Sequence, residues 1–420
     1  MKKAMMQESW SRVVVAGLML FLVMMPAQAG ARRVTISFLA RGNPTYIDLL
    51  QRMIDFFEEA NPNVRVQMQP EAGDFNSKLA TLIASGLAPD VAFIDANSFR
   101  PFAASGALMN LSDMVAKDRS FDERAYLPWA LDSLRYKGDL YALPYDGGPY
   151  ALYYNQNLFD QYGVGYPTNR WTVLDLQTAA KKLTRVEDGQ TTQFGVDLNG
   201  WSFWLWVWAF GGEVLSADER ECLLGEKNAR DGLQWMADIM NVDRSMYNYA
   251  YSVPVNVGFE HQTVAMVTYG YWFVSNYRRL DFDWDVAPIP AGRQRAGLGW
   301  YSGFAIPQGA RRPQEAWEFV KWLVSEEGNR AIAPLGVALP AMVKVAKSND
   351  FMRIQPPKNN MAWVEFADDV RIPPYHEKFE EMQNQIMYPE LNKVWTGTQS
   401  VGQAVDSIVP RVNKLLETLK

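Results

Sequence analysis

The sequence predicts an α/β protein built as two lobes, and three observations carry that expectation. At 420 residues the chain is longer than one hydrophobic core ordinarily organises. Its N-terminal part reads repeatedly as strand, helix, strand. The stretch from Tyr141 to Asn155 joins two extended runs, 140–143 and 151–154, through a Pro- and Gly-rich break at 144–149, as a chain does when it leaves one lobe for another. Tyr145 and Asp146 fall in that break, where an aromatic face and a carboxylate would open onto a cleft between lobes, a preferred place for small ligands.

The N-terminus is a leader by pattern. Lys2, Lys3 and Arg12 precede an apolar run from Val13 to Met25, followed by Pro26 and the small-x-small sequence Ala27-Gln28-Ala29. The competing reading is a membrane anchor, but the run is shorter than the roughly 20 residues that span a bilayer. Cleavage after Ala29 and export to a bacterial periplasm are therefore expected. No cysteine follows the run, which excludes a lipoprotein anchor. Removing Lys2, Lys3, Arg12 and Glu8 takes away a net +2, so the formal charge moves from −6 to −8. Nucleic acid, whose phosphates demand a basic surface, is excluded as a partner. Cys222 is the single cysteine, so no internal disulfide can form.

Val34, Ile36 and Phe38 alternate with polar residues and predict a strand; Ile47, Leu50, Ile54 and Phe57 keep helical spacing; Val64, Val66 and Met68 make the next strand. Asn43 is a candidate N-cap with Pro44 at the first helical position. The right-handed crossover puts the Arg41–Asn43 turn at the carboxyl edge of the sheet, where open α/β sheets bind ligands. A second unit follows: a helix around Leu79–Ile83 ended by Gly86 and Pro89, a buried strand at Val91–Ile94, and Asp95 at the same edge. Asp95 also reads as a helix cap for the following segment, and the two roles can coexist.

Beyond the break, Trp171–Leu183 predicts a helix. Trp201–Phe210 predicts another with two aromatic faces, Trp201, Trp204 and Trp208 on one and Phe203, Trp206 and Phe210 on the other. One face is assigned to the lobe interior and the Trp201–Trp204 end to the cleft; the bland alternative places all six rings in the core. Two further aromatic groups flank glycines, Tyr269-Gly270-Tyr271-Trp272 and Gly299-Trp300-Tyr301-Ser302-Gly303. Phe282–Pro290 reads as a strand, Glu315–Leu323 as an amphipathic helix, and the C-terminal part as helical, ending with Val401–Leu419.

Aromatic residues beside glycines and short polar side chains favour a carbohydrate ligand. Sugar C–H faces stack on flat rings, and their hydroxyls seek Asp, Asn and Arg. Peptides and organic cations come next. Enzyme readings are thin. Only His261 and His376 are present, Cys222 has no adjacent base, and no phosphate loop or nucleophile elbow occurs. No metal, cofactor or catalytic residue is expected. A glycoside hydrolase using Asp95 and Asp146 stays open as a remote alternative.

Several stretches, in one order across nearly all the mature chain, resemble the periplasmic solute-binding proteins of carbohydrate ABC importers, the group that includes maltose-binding and glycerol-3-phosphate-binding proteins. They are 34–68, Lys78–Val91, Gly106–Asp113, Leu140–Tyr145 with Leu152–Asn155, Gly211-Gly212, Ala265-Met266 and Ala316–Leu323. The resemblance implies the two-lobed type II fold with three hinge crossings, near 146–149, 282–287 and 325–329. The lobes would comprise 30–146 with 286–326, and 147–285 with 327–420. It implies a monomer whose closed form is recognised by permease subunits served by a cytoplasmic ATPase. Pocket positions carried over are Asn43, Glu71, Asp95, Asp146, Trp201, Tyr271, Trp272, Trp300 and Gly303, with Arg371 on a C-terminal loop; Tyr145, Trp204 and Tyr301 join them on chemistry. Gly147-Gly148 stands where glycerol-3-phosphate binders have hydroxyl residues, which favours a neutral mono- or oligosaccharide over a phosphorylated ligand, with glycerol-3-phosphate, a polyol, an organic cation or a peptide as alternatives.

Overall fold

The computed structural model describes residues 33–42, 44–247, 256–336 and 339–419. The expected leader, 1–29, and Asn43 lie outside the described residues. The elements that matter here are β1 (Val34–Arg41), α1 (Pro44–Ala60), β2 (Val64–Glu71), α2 (Phe75–Ala84), β3 (Val91–Asp95), α3 (Ala96–Ala104), β4 (Ala142–Asn155), α4 (Val173–Leu183), α5 (Phe203–Ala209), α6 (Lys227–Asn241), β5 (Met266–Gly270), β6 (Trp284–Ala287), β7 (Gly297–Ala305), α7 (Pro313–Val324), α8 (Glu326–Ile332), β8 (Val370–Arg371), α9 (Tyr388–Trp395) and α10 (Val401–Leu416).

The first unit forms as its periodicity predicts. β1 lies between β2 and β3, parallel to both, with Val34 opposite Val64 and Phe38 opposite Val91. Alternation along β1 buries Ile36, Phe38 and Ala40, and the helical stripe Leu50, Met53, Ile54 and Phe57 of α1 is buried with them. Phe319 of α7 meets Phe38 and Phe57 edge-on, at centroid distances of 5.9 and 4.9 Å.

β4 organises the rest. It is one strand of 14 residues, antiparallel to β7 from Ala142 to Pro149, then to β5 from Tyr150 to Tyr154 and to β6 from Leu152 to Asn155. β7 pairs on its other side with β3, Ser302 opposite Asp95, and its first residues pair with β8. The expected Pro/Gly break is therefore a continuous strand. The register shifts between Ser302 and Gly303, opposite Asp146 and Pro144, so Tyr145 is the extra residue of a bulge that accommodates a proline. The glycine at 148 answers a close approach, since a Cβ there would lie 2.6 Å from Cβ of Tyr271.

Beyond that strand a second core gathers round Tyr153, whose ring meets Tyr277, Trp284 and Trp363 at 5.2 to 5.6 Å. Residues 282–287 differ from the expected crossing: β6 is a strand of this second group, and the chain returns through β7. Residues 325–329 differ too. Ser325 caps α8 by accepting from the Gly328 amide at 3.1 Å, Lys344 bonds Glu326 at 2.9 Å, and the Leu127 amide donates to the Ala341 carbonyl at 3.0 Å. The chain thus keeps its bonds to the first group as far as Ala341 and Lys344, while Arg278 of the second group reaches Pro334 and Pro356, and Asp285 reaches Asn359. Glu326-Glu327-Gly328 reads as a turn, but two acidic residues behind a serine cap suit a helix N-terminus equally well. The aromatic helix also starts later than expected. Asn199, at φ +55°, holds a 3₁₀ turn containing Trp201, and α5 proper begins at Phe203.

Candidate functional site

A cavity of about 290 Å³ lies between the two groups of strands. Arg41, Tyr46, Phe93, Asp95 and Ser302 line it from the first, and Trp272, Ser275 and Asn276 from the second. The carboxyl ends of two parallel strands supply its charges, as open α/β sheets do. Asp95 ends β3 and is the N-cap of α3. Its Oδ1 accepts from the Ser98 amide at 3.0 Å and the Ser98 hydroxyl at 2.9 Å, while Oδ2 takes Nη1 of Arg41, the last residue of β1. Both expected roles of Asp95, cap and cleft carboxylate, are compatible in one side chain. Glu71 is opposite Arg41 in the strand register and accepts from the Gly73 amide at 2.8 Å; it flanks the cavity without lining it.

Trp272 forms the facing wall. It sits just after β5 and meets Tyr150 edge-on at 5.7 Å. A Cβ at Gly270 would come within 1.9 Å of the indole, so only glycine lets the ring lie there. Aromatic hydroxyls converge nearby: burial, then Tyr150, Tyr388 and Asp95, push the Tyr375 hydroxyl well above the usual phenol range. Trp201 is 56% exposed and its ring lies 4.2 Å from that of Tyr388.

A second cavity, of about 340 Å³, is lined by Trp204, Trp208, Glu213, Glu219, Arg371 and Pro374. Arg371 is stacked 4.3 Å over the Trp208 ring, and both its Nη groups donate to the two carboxylate oxygens of Glu213, at 2.8 and 2.7 Å. Glu219 reaches across to Arg100 of α3 at 3.3 Å. Beside them His376 is buried, and burial followed by the Arg100 charge lowers its pKa to about 4.

The structure thus brings Asp95 and Trp272 together in one cavity and Trp204 and Arg371 in the other. Three expected residues are elsewhere. Tyr145 is a core side chain, its hydroxyl 3.1 Å from the Met53 sulfur and its ring against Phe304, because the bulge turns it away from the cleft. Tyr271 is fully buried against Trp363, its hydroxyl pushed up to about 12 by burial. Gly303 is packed inside the sheet, where a Cβ would meet the Leu143 carbonyl at 2.6 Å. Asp146, Trp300 and Tyr301 are described by backbone alone, opposite Ser302, Gly148 and Gly147. Sequence reasoning missed Arg41, Tyr150, Asn276 and Glu213 as lining or neighbouring groups. Arg41 had a signal in its place at the sheet's carboxyl edge, and Glu213 had none.

Among the described residues no group of three or more His, Cys, Asp or Glu side chains is set to hold a metal ion. Cys222 is buried, and burial raises its thiol to about 11, a poor nucleophile. The chemistry on offer is hydrogen bonding from ionised pairs beside indole faces.

A profile described as bacterial extracellular solute-binding protein matches residues 43–330. The chain is 24% identical to a Brucella abortus binding protein over 397 residues, 90% of this chain and 92% of that one. It is 23% identical to a maltotriose-binding protein of Pyrococcus abyssi over 292 residues, 67% of this chain and 60% of the relative. The Listeria monocytogenes ABC substrate-binding protein in complex with cycloalternan superposes with a TM-score of 0.82 at 24% identity, over 92% of this chain and 99% of that chain. The fold is that of the two-lobed type II periplasmic binding proteins.

Proposed function

The chain belongs to the bacterial extracellular solute-binding proteins, and from that premise we propose that it captures a neutral sugar outside the cytoplasmic membrane and delivers it to the permease subunits of an ABC importer with a cytoplasmic ATPase. The observation that supports this most is the Arg41–Asp95 ion pair facing Trp272 and Asn276 across the cavity. An indole wall suits the C–H face of a sugar ring; the guanidinium donates to hydroxyl oxygens, and the carboxylate accepts from hydroxyls. The names of relatives that carry maltotriose and cycloalternan support the same ligand class. The exported chain, cleaved after Ala29, acts as a monomer without catalysis. Its first lobe comprises 33–149 and 297–346, and its second 150–296 and 356–419. Ligand shifts the open-closed equilibrium by its preference for the closed form.

The test is a thermal-shift screen of residues 30–420 against mono-, di- and oligosaccharides, polyols, glycerol-3-phosphate, amino acids, peptides and organic cations, with product analysis of each hit. Ligand at 100 times its dissociation constant adds about 2.7 kcal/mol, a readily visible rise in melting temperature. A shift confined to related sugars with no shorter products supports the reading. Stabilisation by a cation or peptide alone moves the assignment to a non-sugar solute, and release of shorter sugars moves it to a glycoside hydrolase.

A further inference from the structure

We infer that Glu213 is a specificity-determining residue: its carboxylate occupies the anion-gripping face of Arg371 and so reserves the second cavity for neutral ligands. The inference rests on the sugar-binding reading and adds which sugars are refused. A guanidinium stacked on an indole, with two parallel Nη groups presented together, is the arrangement that grips carboxylates and phosphates bidentately. Arg371 has that arrangement over Trp208, but both Nη groups already donate to Glu213, at 2.8 and 2.7 Å. The other lining carboxylate, Glu219, is paired with Arg100. Each charge that lines the cavity thus has an opposite partner, and an arriving anion finds the Nη–Nη fork of Arg371 filled.

A neutral polyol meets a different surface. Arg371 has five N–H donors and spends two on Glu213, and each carboxylate oxygen has a second lone pair. Hydroxyls can add to both groups without breaking the pair. An anion must instead displace Glu213 or accept from the remaining N–H groups beside it, and either way two negative charges stand together in a partly desolvated cavity. The two side chains are 43 and 42% exposed, so the pair sits at the cavity rim, where ligand can reach it and an isosteric change leaves the core untouched.

The link to the first cavity is structural. α3 begins at Asp95, which holds Arg41 in that cavity, and one turn later carries Arg100, whose partner Glu219 lines the second. α3 therefore ties the charged groups of the two cavities to one rigid element.

The experiment compares the parent, Glu213→Gln and Glu213→Gln with Arg371→Ala by calorimetry. Probes are the neutral sugar found in the screen, its uronic acid or phosphate counterpart, and inorganic phosphate. The expected result is that Glu213→Gln keeps its melting temperature, gains about ten- to a hundredfold in affinity for the anionic probes, and loses that gain when Arg371 is also replaced. If the parent binds the anionic sugar as tightly as the neutral one, or the glutamine variant gains nothing, the inference is wrong while the sugar reading stands. If no sugar binds either protein, the sugar reading falls; phosphate binding gained by Glu213→Gln would still support the anion gate, and its absence would overturn it.

Discussion

Asp95 caps α3 and, on the proposed reading, also bonds ligand with the same carboxylate, and substitutions can separate the two. As N-cap of α3 it satisfies the amide and hydroxyl of Ser98, a role worth about 1 kcal/mol when replaced by alanine and nearly nothing when replaced by asparagine. Its ion pair with Arg41 adds little to stability, because the Arg41 side chain is 50% exposed and such pairs are worth about 0 to 1 kcal/mol. Towards ligand, a charged hydrogen bond in a closed cleft is worth about 1.5 to 3 kcal/mol, roughly ten- to a hundredfold in affinity. Asp95→Asn is therefore expected to bind sugar ten- to a hundredfold more weakly while unfolding in urea within about 1 kcal/mol of the parent. Asp95→Ala should show the same affinity loss and a further loss of about 1 kcal/mol in stability. Calorimetric titration and denaturation of the ligand-free chain read the two effects independently. Parental affinity in the asparagine variant would refute a ligand role for the carboxylate and leave Asp95 as a cap alone.

Three further outcomes are expected. Gly270→Ala, at a φ of −81° that alanine tolerates, places a Cβ 1.9 Å from the Trp272 ring; it should destabilise by about 1 to 3 kcal/mol and lower affinity no further in a background that already carries Trp272→Ala, which additive losses would contradict. His376 has its pKa lowered to about 4 by burial, then Arg100, against an opposing Glu377. The unfolded chain binds this proton first, so stability is full above pH 6.5 and falls by at most about 3 kcal/mol as pH drops towards 4; His376→Leu should flatten that stretch of the urea-midpoint profile, and an unchanged slope would disprove the assignment. Arg100→Ala removes the bond from α3 to Glu219 and should raise the sugar dissociation constant by up to about fivefold, with Arg100→Glu plus Glu219→Arg restoring it; failure of the swap to restore binding would show that the pair itself does not bear on affinity.

The first strand-helix-strand unit was legible because its information is local: alternation in Val34–Phe38 and helical spacing from Ile47 to Phe57 need no distant partner. Asp95 was legible for the same reason, since a carboxylate after a buried strand marks both a sheet edge and a cap. The crossing was misread in kind, because proline and glycine signal a turn locally, whereas here Pro144 sits at a bulge and Gly148 faces Tyr271 across 123 residues of chain. Tyr145 and Tyr271 were misassigned by the same blindness: each sits among residues that face a cleft, and only the bulge and the packing on Trp363 decide that their own rings do not. The Arg371–Glu213 pair, 158 positions apart, left no trace in spacing or composition.

That β4 runs unbroken from the first group of strands to the second, laddered to β7 along 142–149, bears on how the cleft can move. Two adjacent ladder-bonded strands can twist and bend but cannot slide freely, so a lobe closure of the kind proposed above would be a change of strand twist at 146–150, eased by the bulge at Tyr145 and by glycines that carry no side chain to clash. The backbone at Tyr271 lies against Gly148, and Trp272 is its neighbour in the chain. Bending of β4 would therefore carry the indole wall with it, while Arg41 and Asp95 are held at the ends of β1 and β3. The cavity's indole wall is thus tied to β4 through one glycine contact, and any side chain larger than hydrogen at position 148 should shift Trp272 relative to the Arg41–Asp95 pair without touching either.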